Sequence, residues 1–198
     1  MKLKILQVGE KALREKARAL TANEIRGPEI QQLIEFMRET MRDAPGVGLA
    51  APQVGLPLQL AVIEDREEYL KDVPAEVLAE RRRRPVPFHV IINPKITLGG
   101  TKLEFFEGCL SVAGFSALVP RASSVRVEAL NERAKPLRIE AEGWYARILQ
   151  HEIDHLHGKL YVDRMLSRSL TTNDNLSRHW KNKSIDQVRV ELGLEGGK

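Results

Sequence analysis

His151-Glu152-Ile153-Asp154-His155 holds the residue types in this chain best suited to chemistry. Residues four apart on a helix lie one turn apart on the same face. Two imidazoles so placed can grip one metal ion, and a glutamate beside the first can reach a water bound to it. The ion lowers the pKa of such a water from about 15.7 toward 7. The glutamate can then take up its proton and return it. Trp144 and Ile148 fall on the face neighbouring both histidines, so the pair sits beside an apolar stripe, whereas His157 falls off that face onto the surface. A polar helix surface could carry the same letters without a metal. The motif therefore needs a third ligand and an open position.

Two protease-like spacings fail to supply that ligand. A third histidine six residues after the second would be position 161, which is Tyr161, and the next glutamate after His155 is Glu191, far down the tail. Cys109 remains, in Glu107-Gly108-Cys109-Leu110-Ser111. It is the only cysteine, so no internal disulfide can form. A lone cysteine is commonly a small buried hydrophobe, but its thiolate is a strong soft ligand. Gly108 would allow the backbone to approach closely. Two histidines, one cysteine and one water would complete a tetrahedral site.

The elements that must position these groups can be read from periodicity. Residues 10–20 have a helical pattern. Pro28 to Asp43 places Ile30, Leu33, Ile34, Met37 and Met41 on one face of a helix that opens on proline. Pro45 to Gly55 is a shaped Gly/Pro loop. Strands are expected at 58–63, at 88–93 (closed by Pro94) and at 101–106. Residues 124–130 and 137–141 alternate as an antiparallel hairpin. Gly143 to His157 is a helix stopped by Gly158. The fold class is α+β, with mostly antiparallel sheet around a central metal-binding helix carrying H-E-x-x-H. Residues 1–166 form one catalytic domain with a charged insertion at 65–87, helical around 74–84. Residues 167–198 form a polar tail, helical near 184–192.

Composition narrows the function classes. The net charge of +4 is matched by Arg81-Arg82-Arg83-Arg84 alone, a run that reads as a solvated face. Aromatics do not interleave with basic residues, so sequence-specific nucleic-acid binding is not expected. No stretch approaches the roughly 20 apolar residues of a membrane span. The start, Met1 to Leu6, meets Glu10, Lys11 and Arg14 too soon to be a signal peptide, and the protein is read as cytoplasmic.

Taken together, Gly46-Val47-Gly48-Leu49-Ala50-Ala51-Pro52-Gln53, Glu107-Gly108-Cys109-Leu110-Ser111 and Gln150-His151-Glu152-Ile153-Asp154-His155 resemble the three marking segments of the peptide deformylases, in order and spacing. The resemblance covers about residues 3–166. Ser111-Val112-Ala113-Gly114-Phe115-Ser116-Ala117-Leu118-Val119-Pro120-Arg121 and Gly143-Trp144 look like the mitochondrial and plant-organelle branch, which has bacterial members. The chain departs from many bacterial relatives at Ser116, where they carry an arginine near the substrate peptide.

The resemblance implies a hydrolase that removes the N-formyl group from the N-terminal methionine of new proteins, by attack of a metal-bound water or hydroxide on the formyl carbonyl. It implies Cys109, His151 and His155 as metal ligands and Glu152 as general base and then acid. Gln53 and the backbone N–H of Leu110 would hold the oxyanion, and Gly48 would offer its carbonyl to substrate. Val47, Glu107, Trp144 and Ile148 are candidates for the methionine pocket by position. The implied metal is Fe(II) in the cell, and Zn(II), Ni(II) or Co(II) would suit the same ligands. The implied partners are N-formylmethionyl nascent chains, with a weak ribosome contact through Arg178, Lys181, Lys183 and Arg189. Two competing readings are a protease for internal peptide bonds and a non-catalytic metal-binding protein. Glu152 and Gln53 argue against the second, since neither is a metal ligand.

Overall fold

The computed structural model describes residues 1–194. The single turn α1 (Ala22–Arg26) is capped by Thr21 and Glu24 in a reciprocal capping box. Pro28 then opens α2 (Pro28–Asp43), whose residues Ile30, Leu33, Ile34, Met37 and Met41 are all buried, as the periodicity predicts. The helical pattern of residues 10–20 yields only a short 3-10 turn at Lys11–Arg14. Beyond it the chain runs extended, because tertiary bonds take its backbone: Ala17 N–H donates to Leu156 O and Arg18 N–H to Pro57 O.

Strands β1 (Gly48–Ala50), β2 (Leu60–Asp65), β3 (Val86–Cys109), β4 (Val112–Leu130) and β5 (Pro136–Glu142) form one antiparallel sheet in that order. The segments expected at 88–93 and 101–106 belong to the same strand, β3. Pro94 does not close it, since a register shift between Ile92 and Lys95 absorbs the residue that cannot donate. Asn93 there has φ +51°, and its side chain bonds both the N–H and the C=O of Leu20. Further shifts at Gly99–Lys102 and Gly108–Cys109 bend a strand that would otherwise run about 80 Å.

β2 is buried along its whole length because the sheet has helices on both faces. Leu60 and Val62 join Leu33, Met37 and Met41 of α2. Ala61 and Ile63 face the other way, toward Ile148, Leu149, Ile153 and Leu156 of α4 (Gly143–Leu156). The helix with the histidines is thus central, as the fold class requires. Its end is set by Gly158, which has φ +70° and lies so close to the Arg14 carbonyl that a side chain would not fit.

The insertion holds one short helix, α3 (Ala75–Glu80), and then returns to the start of α4. The Arg81 carbonyl accepts the Trp144 N–H at 2.8 Å, satisfying one of the donors that a helix start leaves open. The Arg81 guanidinium lies 5.0 Å from the Trp144 ring and Arg83 lies 5.4 Å from it. Arg83 also forms a two-bonded pair with fully buried Asp65, at 2.8 Å each. The arginine run is therefore only partly a solvated face. Two of its members fasten the insertion over Trp144.

After Leu160 the tail returns to the sheet. β6 (Thr171–Thr172) pairs with Phe115 and Ser116 of β4. It leads into α5 (Asn173–Asn175), which continues as a π-helical turn at Leu176–Trp180, and then α6 (Ile185–Glu191). No described helix is long and apolar enough to cross a membrane.

Candidate active site and metal centre

Three segments distant in sequence meet at one face of α4. The Cys109 Sγ and one ring nitrogen each of His151 and His155 lie within 4.8 Å of one another. Sγ is 3.3 Å from His155 Nε2. Cys109 arrives from the end of β3, one residue past the bulge that turns the strand. The two imidazoles cross edge to face at 4.9 Å, as expected one helical turn apart. His151 also stacks on buried Tyr161. That tyrosine occupies the position where a protease-type third histidine would stand, and serves as packing.

His151 is oriented from behind. Its Nδ1 meets Glu107 Oε2 at 3.1 Å, which leaves Nε2 for the cluster. A carboxylate on the far nitrogen fixes the ring and raises its basicity as a ligand. Glu107 in turn accepts from Arg121 at 2.9 and 3.0 Å and from Arg147 at 2.6 Å. Arg121 also reaches Asp154, which pairs with Arg164 at 2.6 and 2.7 Å. Burial alone would raise the Glu107 carboxyl. The His151 and Arg121 hydrogen bonds instead hold it well below the usual carboxylate range.

The Arg121 and Glu107 side chains are 2% and 4% exposed, so this network cannot be broken cheaply. Removing one member strands buried charge. Arg121→Met should lower unfolding stability by about 3–5 kcal/mol, measured by urea denaturation. The same change at Arg82, whose partner Glu142 is exposed, should have little effect. Equal shifts for the two variants would contradict the network's role.

Glu152 stands apart from these three candidate ligands but beside them. Its Oε2 is buried with no hydrogen-bond partner among the described residues. Burial pushes its carboxyl up to about 7, against the opposing charges of His151 and Arg121. Gly48 makes room for it: a Cβ there would lie 2.7 Å from Glu152 Cγ and would overlap Oε1. Gln53 is also locked. Its Oε1 accepts the Ala50 N–H at 2.9 Å, which turns Nε2 toward Ser111 Oγ at 3.1 Å and Cys109 Sγ at 3.6 Å. Gln7 steadies the Leu110 loop, donating to the Leu110 carbonyl at 2.9 Å and accepting the Ala113 N–H at 3.2 Å.

These groups line a cleft of about 430 Å³. Val47, Gly48, Glu107, Trp144 and Ile148 all reach it, as do Gln53, Leu110, Cys109, His151 and Glu152, while His155 lies deeper. The Glu107 carboxylate is engaged by arginines and His151, so that residue's wall contribution is separate from its charge. Sequence reading did not single out Gln7, Arg147 or Asn173. Arg147 precedes His151 by four residues on the same helix face, a spacing that could have found it. Gln7 and Asn173 carry no local signal; only the tertiary fold brings them here.

A sequence model described as Polypeptide deformylase matches residues 2–170. The chain is 48% identical to chloroplastic peptide deformylase 1A of Solanum lycopersicum over 173 residues, 87% of this chain and 62% of that protein. It is 42% identical to peptide deformylase 1 of Streptomyces coelicolor over 194 residues, 98% of this chain and 87% of that one. The chain spans less than two thirds of the length of the plant organelle relatives it matches. The Met-Ala-Ser-bound crystal structure of class I type b peptide deformylase from Acinetobacter baumannii superposes with a TM-score of 0.74 at 32% identity, covering 83% of this chain and 99% of that one.

Proposed function

This chain belongs to the polypeptide deformylase family, and from that premise we infer that it hydrolyses the formamide of N-formylmethionyl peptides, releasing formate and a free amino terminus. The observation that carries the reading is the convergence of a thiol and two imidazoles beside a buried glutamate whose Oε2 has no hydrogen-bond partner among the described residues. That donor set fits one divalent metal: soft and borderline ligands that a tetrahedral site with one open position would use. Cys109, His151 and His155 would hold the ion. When bound, it supplies the Lewis acidity that makes water nucleophilic at neutral pH. The family resemblance favours Fe(II) in the cell, and Zn(II), Ni(II) and Co(II) suit the same donors.

Glu152 does the proton work. Its free Oε2 takes the proton from the attacking water and then delivers it to the departing methionine nitrogen. Gln53, its amide pinned by Ala50, donates through Nε2 to the developing oxyanion, and the Leu110 N–H donates from the loop that Gln7 steadies. A fixed donor of this kind is worth about 3–4 kcal/mol of barrier. The Gly48 carbonyl meets the substrate backbone as a strand would. Val47, Trp144 and Ile148 give the methionine side chain an apolar slot.

The proposed substrates are nascent chains in the cytoplasm. A ribosome contact through the tail would draw mainly on Arg178 and Lys181, since Lys183 pairs with Glu191 and Arg189 with Glu104. Residues 1–166 would form the catalytic unit.

The metal-loaded protein, given formyl-Met-Ala-Ser, should yield formate and intact Met-Ala-Ser in equal amounts by mass spectrometry. Cleavage of the Met–Ala bond instead would support a protease and overturn this reading.

A further inference from the structure

The cleft has a wall that comes from outside the matched family segment, which ends at residue 170. Asn173 lines the cleft together with Ala113, Gly114 and Phe115. It is held there in two ways. β6 pairs Thr171 with Ser116 and Thr172 with Phe115, and the Ser116 hydroxyl donates to Asn173 Oδ1 at 2.8 Å. With Oδ1 engaged in that bond, Nδ2 is the free end. Among the described residues Nδ2 has no protein partner, and the side chain is exposed at the cleft mouth. Phe115 beside it is 42% exposed, a large apolar side chain left uncovered next to a free donor.

Resting on the deformylase reading, we propose that Asn173 and Phe115 form a subsite for the second and third residues of the formylated peptide. Asn173 Nδ2 would donate to a substrate backbone carbonyl, with Phe115 beneath the substrate side chain. The strand order sets the distance. Ser116 pairs with Gly108, the residue before Cys109, and Thr171 pairs with Ser116. Two strand spacings, about 10 Å, separate β3 from β6. An extended peptide covers about 3.3–3.6 Å per residue, so a chain whose formyl group lies at Cys109 comes within reach of Asn173 at its second to third residue. Ser116 acts here as a positioning residue, holding the Asn173 side chain at the cleft mouth.

The test compares kcat/KM on formyl-Met, formyl-Met-Ala and formyl-Met-Ala-Ser for the parent, Asn173→Ala, Asn173→Asp and Ser116→Ala. One lost hydrogen bond should lower the tripeptide-to-formyl-Met ratio about 3- to 10-fold in Asn173→Ala, carried by KM. Asn173→Asp keeps the size and the acceptor but loses the donor, and should fall at least as far; Ser116→Ala should fall part of the way. A parent active on all three substrates, with ratios unchanged in the Asn173 variants, overturns the subsite and leaves the deformylase reading standing. Equal losses at every length overturn it too, because they mark a structural role. A metal-loaded parent that releases no formate from any of the three overturns both.

Discussion

Glu152→Gln is expected to lower kcat/KM for formyl-Met-Ala-Ser by about 10²- to 10⁴-fold, the usual worth of a positioned acid–base group. The change keeps the shape of the side chain and removes its ability to take a proton. Glu152 is outside the three-residue ligand cluster, so bound metal should stay at the parent level. Stability should hold or rise, because burial already disfavours the charged carboxylate and a neutral amide escapes that cost. Metal content, melting temperature and formate release, measured on one preparation, separate these effects. A variant that keeps its metal and also most of its activity would remove Glu152 from the mechanism.

Gly48→Ala is the second large effect. The added methyl would occupy space already held by the Glu152 carboxylate, whose Cγ would lie 2.7 Å away. The nearest atoms belong to a side chain on the central helix, buried 4% exposed, with little freedom to retreat. Either Glu152 swings away from the cluster or β1 moves outward, and both misplace the groups proposed to converge on the formyl carbon. A misplacement of about 1 Å can cost on the order of 10²-fold in rate, and overpacking costs about 1–3 kcal/mol in stability. The same alanine at Gly9, which lies outside the cleft lining and where a Cβ would meet nothing within 4 Å but φ is +108°, should cost stability with much less rate. Parallel rate losses in the two variants would argue against the close Gly48–Glu152 fit.

Much of the site was legible because its chemistry is local. His151, Glu152 and His155 sit on one helix turn, and Cys109 and Gln53 stand in short segments with their own signatures. α2, α4 and the 124–141 hairpin were legible for a related reason: each has a periodic apolar face long enough to declare itself. What could not be read depends on contacts far apart in sequence. The pairing of β3 with two partners hides one 24-residue strand behind a proline and a glycine pair. Arg121, Arg147 and Asp154 look like surface charges until the fold buries them around Glu107. Arg81 and Arg83 read as part of a solvated run, yet Trp144 and Asp65 give them apolar and ionic partners. The return of the tail at Thr171–Thr172 is two residues of pairing, too short for any periodicity to mark.

We propose that Cys109, His151 and His155 hold the metal on which formate release depends. The most direct measurement strips the protein with a chelator and adds back Ni(II) or Co(II) anaerobically, reading metal content, the Co(II)–thiolate absorption and formate release from formyl-Met-Ala-Ser together. All three should rise in parallel and saturate at one ion per chain, and Cys109→Ala should abolish the thiolate band and the activity. Full formate release by the stripped, folded protein, or none after one ion per chain is bound through Cys109, would contradict this proposal.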